Sequence, residues 1–518
     1  MRIAAVLGSV LLVIWTATTT VRADVVVFKV PTTNLKFILQ GKAITSRTQP
    51  TIYFTHTPSK LIFDLPQTPD TDVIVLPTLN QIASKRLSKM KGDEAGSREV
   101  AAWALDHGLL AEFHRAVDQI AAANAADPFV VEAKRLKADL AKPIAEDSPE
   151  AIKSVSGSGS KIVKSAHFLM GYPENDKPAD KSEIKKKKPE ARLEQLEQLF
   201  EIFVMKCAER GLPVQIPTTR MLVMVSSGAA PSTALPGART APLLPRILWA
   251  QGSNILYISQ INAQMIELDS LRKLQSAVTK VQSQPRPRRN PNGQPGGGAA
   301  PGGGMADAAT VGGIDLSKLS LGQVAKLVVT VQSLMAIGTD NLELEGLSRE
   351  AAYLFIANCN VVPPQAPSWV RDGLAAYFEY PAEMGFLKIG DVGQVRSAWY
   401  QASLQDPDRF TLTDIVTGRC HDNPVSFAES MRASNMSWAL MHFLLENNAE
   451  GLGKYLTSFR AIPPDLALDD DVLSSMFDDA FGEEQSKLEE TWREHMTGLK
   501  AEYSILKDSE EGGTTSDN

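Results

Sequence analysis

The chain has 518 residues, 43% hydrophobic and 22% charged, a composition that suits packed globular units and excludes a wholly disordered protein. Its length exceeds one ordinary domain, so about two to four units are expected. A formal net charge of -7 excludes nucleic acid as the main partner, which would call for a basic face.

Arg2 precedes a twelve-residue apolar run, Ala4 to Trp15, and Val21-Arg22-Ala23 ends on the small residue that a signal peptidase prefers. Twelve residues are too few to span a bilayer, which takes about 20. Residues 1–23 therefore read as a signal peptide, predicting export to the periplasm, cell envelope or outside. Removing Arg2 and Arg22 from the 53 basic side chains leaves 51, against 60 acidic ones, in a mature chain from Asp24.

Residues 24–80 alternate β-branched runs with turn residues, and five strands are predicted around Val25–Phe28, Phe37–Leu39, Thr51–Phe54, Lys60–Phe63 and Val73–Leu76. This small β-rich module is close to the lower size limit for independent folding, so a partner is expected, and the helical stretch that follows is the nearest one. Over residues 81–145 the period turns helical: Ala101, Ala104, Leu105, Leu109 and Leu110 recur at helical spacing, and Asp127-Pro128 starts a further helix. The segment resembles a tetratricopeptide unit, without a second copy that would make an array. Residues 146–160 are polar and read as a linker.

From Lys161 the predicted order is a strand at Lys164–Met170, a helix at Pro189–Arg210, a strand at Met221–Val225, a hairpin at Ile247–Ile258 and a helix at Gln260–Gln282. Residues 283–313 hold five prolines, three arginines and two Gly triplets, and are read as a disordered insert. Leu321 to Gly338 is the most apolar later run, yet Gln323, Lys326 and Gln332 mark it as a buried helix and not a membrane span. Residues 506–518 are a polar tail. Cys207, Cys359 and Cys420 form no C-x-x-C pair, so one disulfide or three buried thiols both fit. No two of the seven histidines stand at i, i+4.

Ser368 to Tyr380 reads Ser-Trp-Val-Arg-Asp-Gly-Leu-Ala-Ala-Tyr-Phe-Glu-Tyr. It resembles the second active-site helix of gluzincin metallopeptidases, Trp-x-x-Glu-Gly-x-Ala-x-Tyr-x-Glu, which carries the third zinc ligand. Where such a protein has His-Glu-x-x-His, this chain has Arg349-Glu350-Ala351-Ala352-Tyr353, and 18 residues separate Tyr353 from Asp372. The chain is thus identified with a gluzincin-type, aminopeptidase–thermolysin-like secreted bacterial domain over residues 161–505. The resemblance implies an α+β fold: a small mixed sheet lobe and a helical lobe with two active-site helices.

Carried over position by position, the resemblance puts Glu350 at the general base. Arg349, Tyr353 and Asp372 fall at degenerate ligand positions. A guanidinium has no lone pair to give a metal, and a phenol with a reference pKa of about 10 is a poor ligand at neutral pH. Zinc is therefore expected of the family but not of this chain, and no other cofactor is expected.

Leu347, Ala351, Leu354 and Phe355 form one apolar helix face, with Ala352 and Ile356 beside Arg349 and Tyr353 opposite. The helix should be buried and its arginine paired, because an uncompensated buried guanidinium costs several kcal/mol. Arg349 is expected to stand where zinc would be and to pair with Asp372, with Tyr353 donating to the same carboxylate. The reading is a secreted protein without zinc or peptidase activity that binds or scaffolds an unidentified protein or peptide at the envelope. The alternative is a metal-dependent peptidase or hydrolase with atypical ligands, for which His421, Asp422 and Glu379 are the candidates.

Overall fold

The computed structural model describes residues 23–29, 36–45, 51–57, 59–66, 71–156, 160–173, 188–226, 247–259, 276, 310–311, 314–315, 321–380, 388–392, 394–405, 410–421, 426–463, 466–482 and 485–499. The expected signal peptide apart from Ala23, the helix at Gln260–Gln282 apart from Ser276, most of the insert and the tail lie outside these residues. The described residues form an α+β protein with two five-stranded sheets, a two-residue ladder and fourteen α-helices. None of the helices is long and apolar enough to cross a membrane.

The first sheet is antiparallel, in the order β4-β3-β2-β1-β5: β1 (Ala23–Lys29), β2 (Lys36–Thr45), β3 (Thr51–His56), β4 (Ile62–Pro66) and β5 (Asp72–Leu76). All five predicted strands are there. Alternation along β3 turns Ile52, Phe54 and His56 inward and leaves Tyr53 exposed. The core that receives them differs from expectation. Val26, Phe28, Phe37, Leu39, Ile52, Phe54, Phe63 and Leu65 pack on Leu334 and Ile337, from a helix some 250 residues later in the chain. Thr330 Oγ1 donates to Asp64 O at 2.6 Å, and Lys326 pairs with Asp64 Oδ2 at 2.7 Å. The module's partner is thus the apolar run from Leu321, not the helices that follow it.

Those helices are α1 (Leu79–Lys89), α2 (Glu94–Asp106), α3 (Leu110–Ala123) and α4 (Pro128–Leu140). Asp127 caps α4 by accepting from Phe129 N and Val130 N, with Pro128 in the first turn as the sequence signals. The expected linker holds a short helix, α5 (Pro149–Val155), capped by Ser148 and ending on the fully buried Val155.

The second sheet has the order β6-β7-β8-β10-β9, with β6 (Ser160–Lys164), β7 (Phe168–Pro173), β8 (Met221–Ser226), β9 (Ile247–Ala250) and β10 (Ile255–Ser259). β7, β8 and β10 run parallel, and β6 and β9 close the two edges antiparallel. Helix α6 (Pro189–Glu209) makes the crossover from β7 to β8 that parallel neighbours require. The β9–β10 hairpin turns at Asn254, whose φ of 53° lies in the left-handed region. Strand β6, at the end of the expected linker, is an addition to the predicted order. Thr310–Val311 and Ile314–Asp315 form the short ladder.

The rest is helical: α7 (Leu321–Asn358), α8 (Ser368–Tyr377), α9 (Gln394–Gln405), α10 (Leu412–Val416), a 3-10 turn (Arg419–His421), α11 (Phe427–Asn447), α12 (Ala449–Arg460), α13 (Asp470–Phe481) and α14 (Gln485–Gly498). Helix α7 spans 38 residues, far beyond the stretch expected around Arg349. One apolar core joins α2, α3, α4, α6, the second sheet and these later helices. All three cysteines are buried free thiols.

Candidate functional site

Towards its C-terminal end α7 buries Leu347, Ala351, Ala352, Leu354, Phe355 and Ile356. Arg349 and Tyr353 share the remaining stripe and face α8. That helix starts beyond Pro363-Pro364 and Pro367, since proline breaks the preceding helix. Gly373 lets it sit tightly on α11: an added Cβ would lie 2.5 Å from Ser437 O and 2.8 Å from Met441 Cβ.

The two helices run antiparallel, so positions earlier on α7 meet positions later on α8. Tyr353 Oη donates to Asp372 Oδ1 at 3.0 Å. One turn back, Arg349 Nε lies 3.7 Å from Glu379 Oε2, and Tyr380 N donates to Ser348 Oγ at 3.0 Å. Tyr353 thus meets Asp372 as its spacing suggests, while Arg349 pairs with Glu379 in place of the expected Asp372. The helix register sets this outcome: Asp372 is already engaged by Tyr353 and, through Oδ2, by His421 Nδ1 at 3.3 Å.

Glu379 is held from the other side by Arg396 of α9, whose Nε donates to Oε1 at 3.0 Å while Nη2 meets Oε2. Arg396 Nη1 also donates to Asn435 Oδ1 at 3.2 Å. Burial would raise the Glu379 pKa, but Arg396 and then Arg349 overcome it and hold the carboxyl below its usual value. Burial likewise opposes the charge on Arg349. The Glu379 and Glu350 carboxyls outweigh it and keep Arg349 a cation. Arg349 Nε has no hydrogen-bond partner, and 31% of the side chain is exposed.

Glu350 turns toward the second sheet, where Trp249 N on edge strand β9 donates to its Oε2 at 2.8 Å. Burial raises its pKa, and the opposing effects of Arg349 and the Trp249 N–H do not cancel that. The Trp249 ring stacks on Tyr353, 5.7 Å between centroids and 4° from parallel, over the same corner. Burial first, and then Asp372, push the Tyr353 phenol far above its usual range, so it keeps its proton.

These side chains do not fit a zinc ion, which needs converging lone-pair donors. Arg349 is a cation, Tyr353 gives its hydrogen to Asp372, and both Asp372 oxygens are engaged. Among the described residues no group of three or more His, Cys, Asp or Glu side chains is placed to hold a metal.

His421 does join the site, through Asp372. Its Nε2 lies 2.8 Å from Ser437 Oγ, which donates to Ala433 O at 2.8 Å. Carboxylate, imidazole and hydroxyl follow the order of a nucleophilic triad. Ser437, however, is fully buried and its hydrogen is given to a helix carbonyl, so no hydroxyl is presented to a substrate. Trp249, Arg396, Asn435 and Ser437 were not singled out in the sequence as site residues. Trp249 comes from β9, Arg396 from α9, and Asn435 and Ser437 from α11, so no local pattern in the sequence joins them to the site. Asp422 lies outside the described residues.

The fold and site define an α+β protein built around a polar ladder between two antiparallel helices. A family model described as a protein of unknown function (DUF1570) matches residues 344–465, so the chain is similar to that family over the end of α7 through α12. The match takes in Arg349, Glu350, Tyr353, Asp372, Glu379, Arg396, His421 and Ser437, but not Trp249. No curated protein and no solved structure matches the chain.

Proposed function

We propose that this is an exported scaffolding protein with a gluzincin-like fold whose zinc position has been rebuilt as an internal ion-pair ladder. The observation that carries the reading is that the Tyr353 hydroxyl donates to Asp372, so two former ligand positions are tied to each other. Glu350, the former general-base position, is spent on the Trp249 N–H, and Arg349 faces Glu379. With all four positions committed to contacts inside the protein, scaffolding is favoured over capture of a peptide in the cleft. The parallel strand–helix–strand order ahead of α7 supports the fold assignment.

The deciding experiment measures the metal content of the purified mature protein alongside a broad peptidase screen. The expected outcome is substoichiometric zinc and no cleavage. One equivalent of tightly bound zinc, or metal-dependent cleavage abolished by Glu350→Gln, would overturn the reading. The triple variant Arg349→His, Tyr353→His, Asp372→Glu is expected to gain zinc affinity over the parent.

A further inference from the structure

Helix α14, the last among the described residues, is tied to α11 by a row of hydrogen bonds that all point one way. Asn447 Nδ2 donates to Phe443 O at 2.9 Å and lies 3.4 Å from His495 Nδ1. His495 Nε2 lies 3.4 Å from His442 Nδ1, and His442 Nε2 lies 3.0 Å from Gly390 O. A carbonyl only accepts, so His442 carries its hydrogen on Nε2. Its Nδ1 is then an acceptor for the His495 Nε2–H, and His495 Nδ1 accepts from Asn447. Every contact in the row is satisfied only while both rings are neutral.

The surroundings give a third proton little help. Tyr377 and Trp438 place their rings 5.9 Å from His442, and Phe443 lies 5.5 Å from His495. The facing charges are Glu446 on α11 and Lys388 on the turn that carries Gly390. Glu446 is committed to Arg210, just past α6, at 2.8 Å, and to the Tyr377 hydroxyl of α8 at 2.7 Å. From α14 the facing group is His495 itself. Burial takes the His442 pKa down to about 4, with Glu446 opposing and His495 reinforcing. Burial lowers His495 as well.

We propose that His442 and His495 form an acid-opened latch: a proton added to either ring turns an acceptor into a second donor facing a donor, and α14 is released from α11 as pH falls. The latch does not depend on the scaffolding role.

Hydrogen–deuterium exchange of the full mature chain tests it. With His442 at about 4 when latched and 6.5 when released, linkage raises the released population about twentyfold between pH 7 and pH 5. Exchange over Gln485–Gly498, corrected for the intrinsic pH dependence, is expected to rise by that factor in the wild type and to stay flat in His442→Gln/His495→Gln. A flat wild type, or the same rise in the variant, would overturn the proposal. Should the variant fail to fold, histidine titration by NMR on the wild type decides. A His442 ring titrating at 6.5 or above sinks the latch; one titrating well below, with loss of α14 protection at the same pH, supports it.

Discussion

Glu350 is the side chain whose two possible roles make opposite predictions. Its carboxyl sits where burial disfavours the charge, and it accepts a hydrogen bond from the Trp249 backbone. A glutamine keeps an acceptor for that N–H and removes the disfavoured charge. Glu350→Gln is therefore expected to raise the urea midpoint at pH 7, with the gain shrinking as pH falls and the wild-type carboxyl takes up its proton. A lower midpoint at neutral pH would mean that the attraction to Arg349 outweighs burial. Gly373 stood in the sequence only as part of the Ser368 to Tyr380 motif, four residues after Trp369. What it makes room for, the Ser437 carbonyl of another helix, was not legible.

The pairing of α7 with α8 shows where sequence reading reaches and where it stops. Helical period placed Arg349 and Tyr353 on one stripe. Period says nothing of register between helices, and a shift of one turn decides which acid receives the arginine. The same gap hid Arg396, which arrives from a third helix. The β strands were easier, because alternation of Ile52, Phe54 and His56 carries its own inside and outside. Elsewhere α6 and α7 are joined by Arg192 and Glu343, both 4% exposed and 2.7 Å apart. Removing one partner strands a buried charge, so Arg192→Ala should cost about 3–5 kcal/mol in chemical denaturation. Arg192→Met with Glu343→Leu should recover most of that. A single variant within about 1 kcal/mol of wild type would show that the pair is hydrated in solution.

For the whole molecule, acid is the expected weak direction. Burial lowers His56 to about 4, as it does His442. Both rings therefore bind fewer protons folded than unfolded between about pH 6.5 and 4, and stability falls as pH drops through that window. Below it, carboxyls held down by partners, such as Glu379 and Glu446, add to the loss, while Glu350 works the other way. Stability measured from pH 8 down to 4 should be flat above about 7 and then decline; a flat profile across pH 6 to 5 would mean that both imidazoles take up water and titrate normally. Distance along the chain explains what the sequence concealed at this scale. The first sheet finds its cover in Leu334 and Ile337, a pairing that no local pattern announces.

Helix α7 carries a mechanical consequence. One continuous rod holds the first sheet's core at Leu334 and the ion-pair ladder at Arg349, with about 22 Å of helix between them. A tilt of about 5° at the sheet end carries the guanidinium about 2 Å, enough to separate it from Glu379. Whatever grips the β module therefore has a lever on the site, and a load on the site is felt at the sheet.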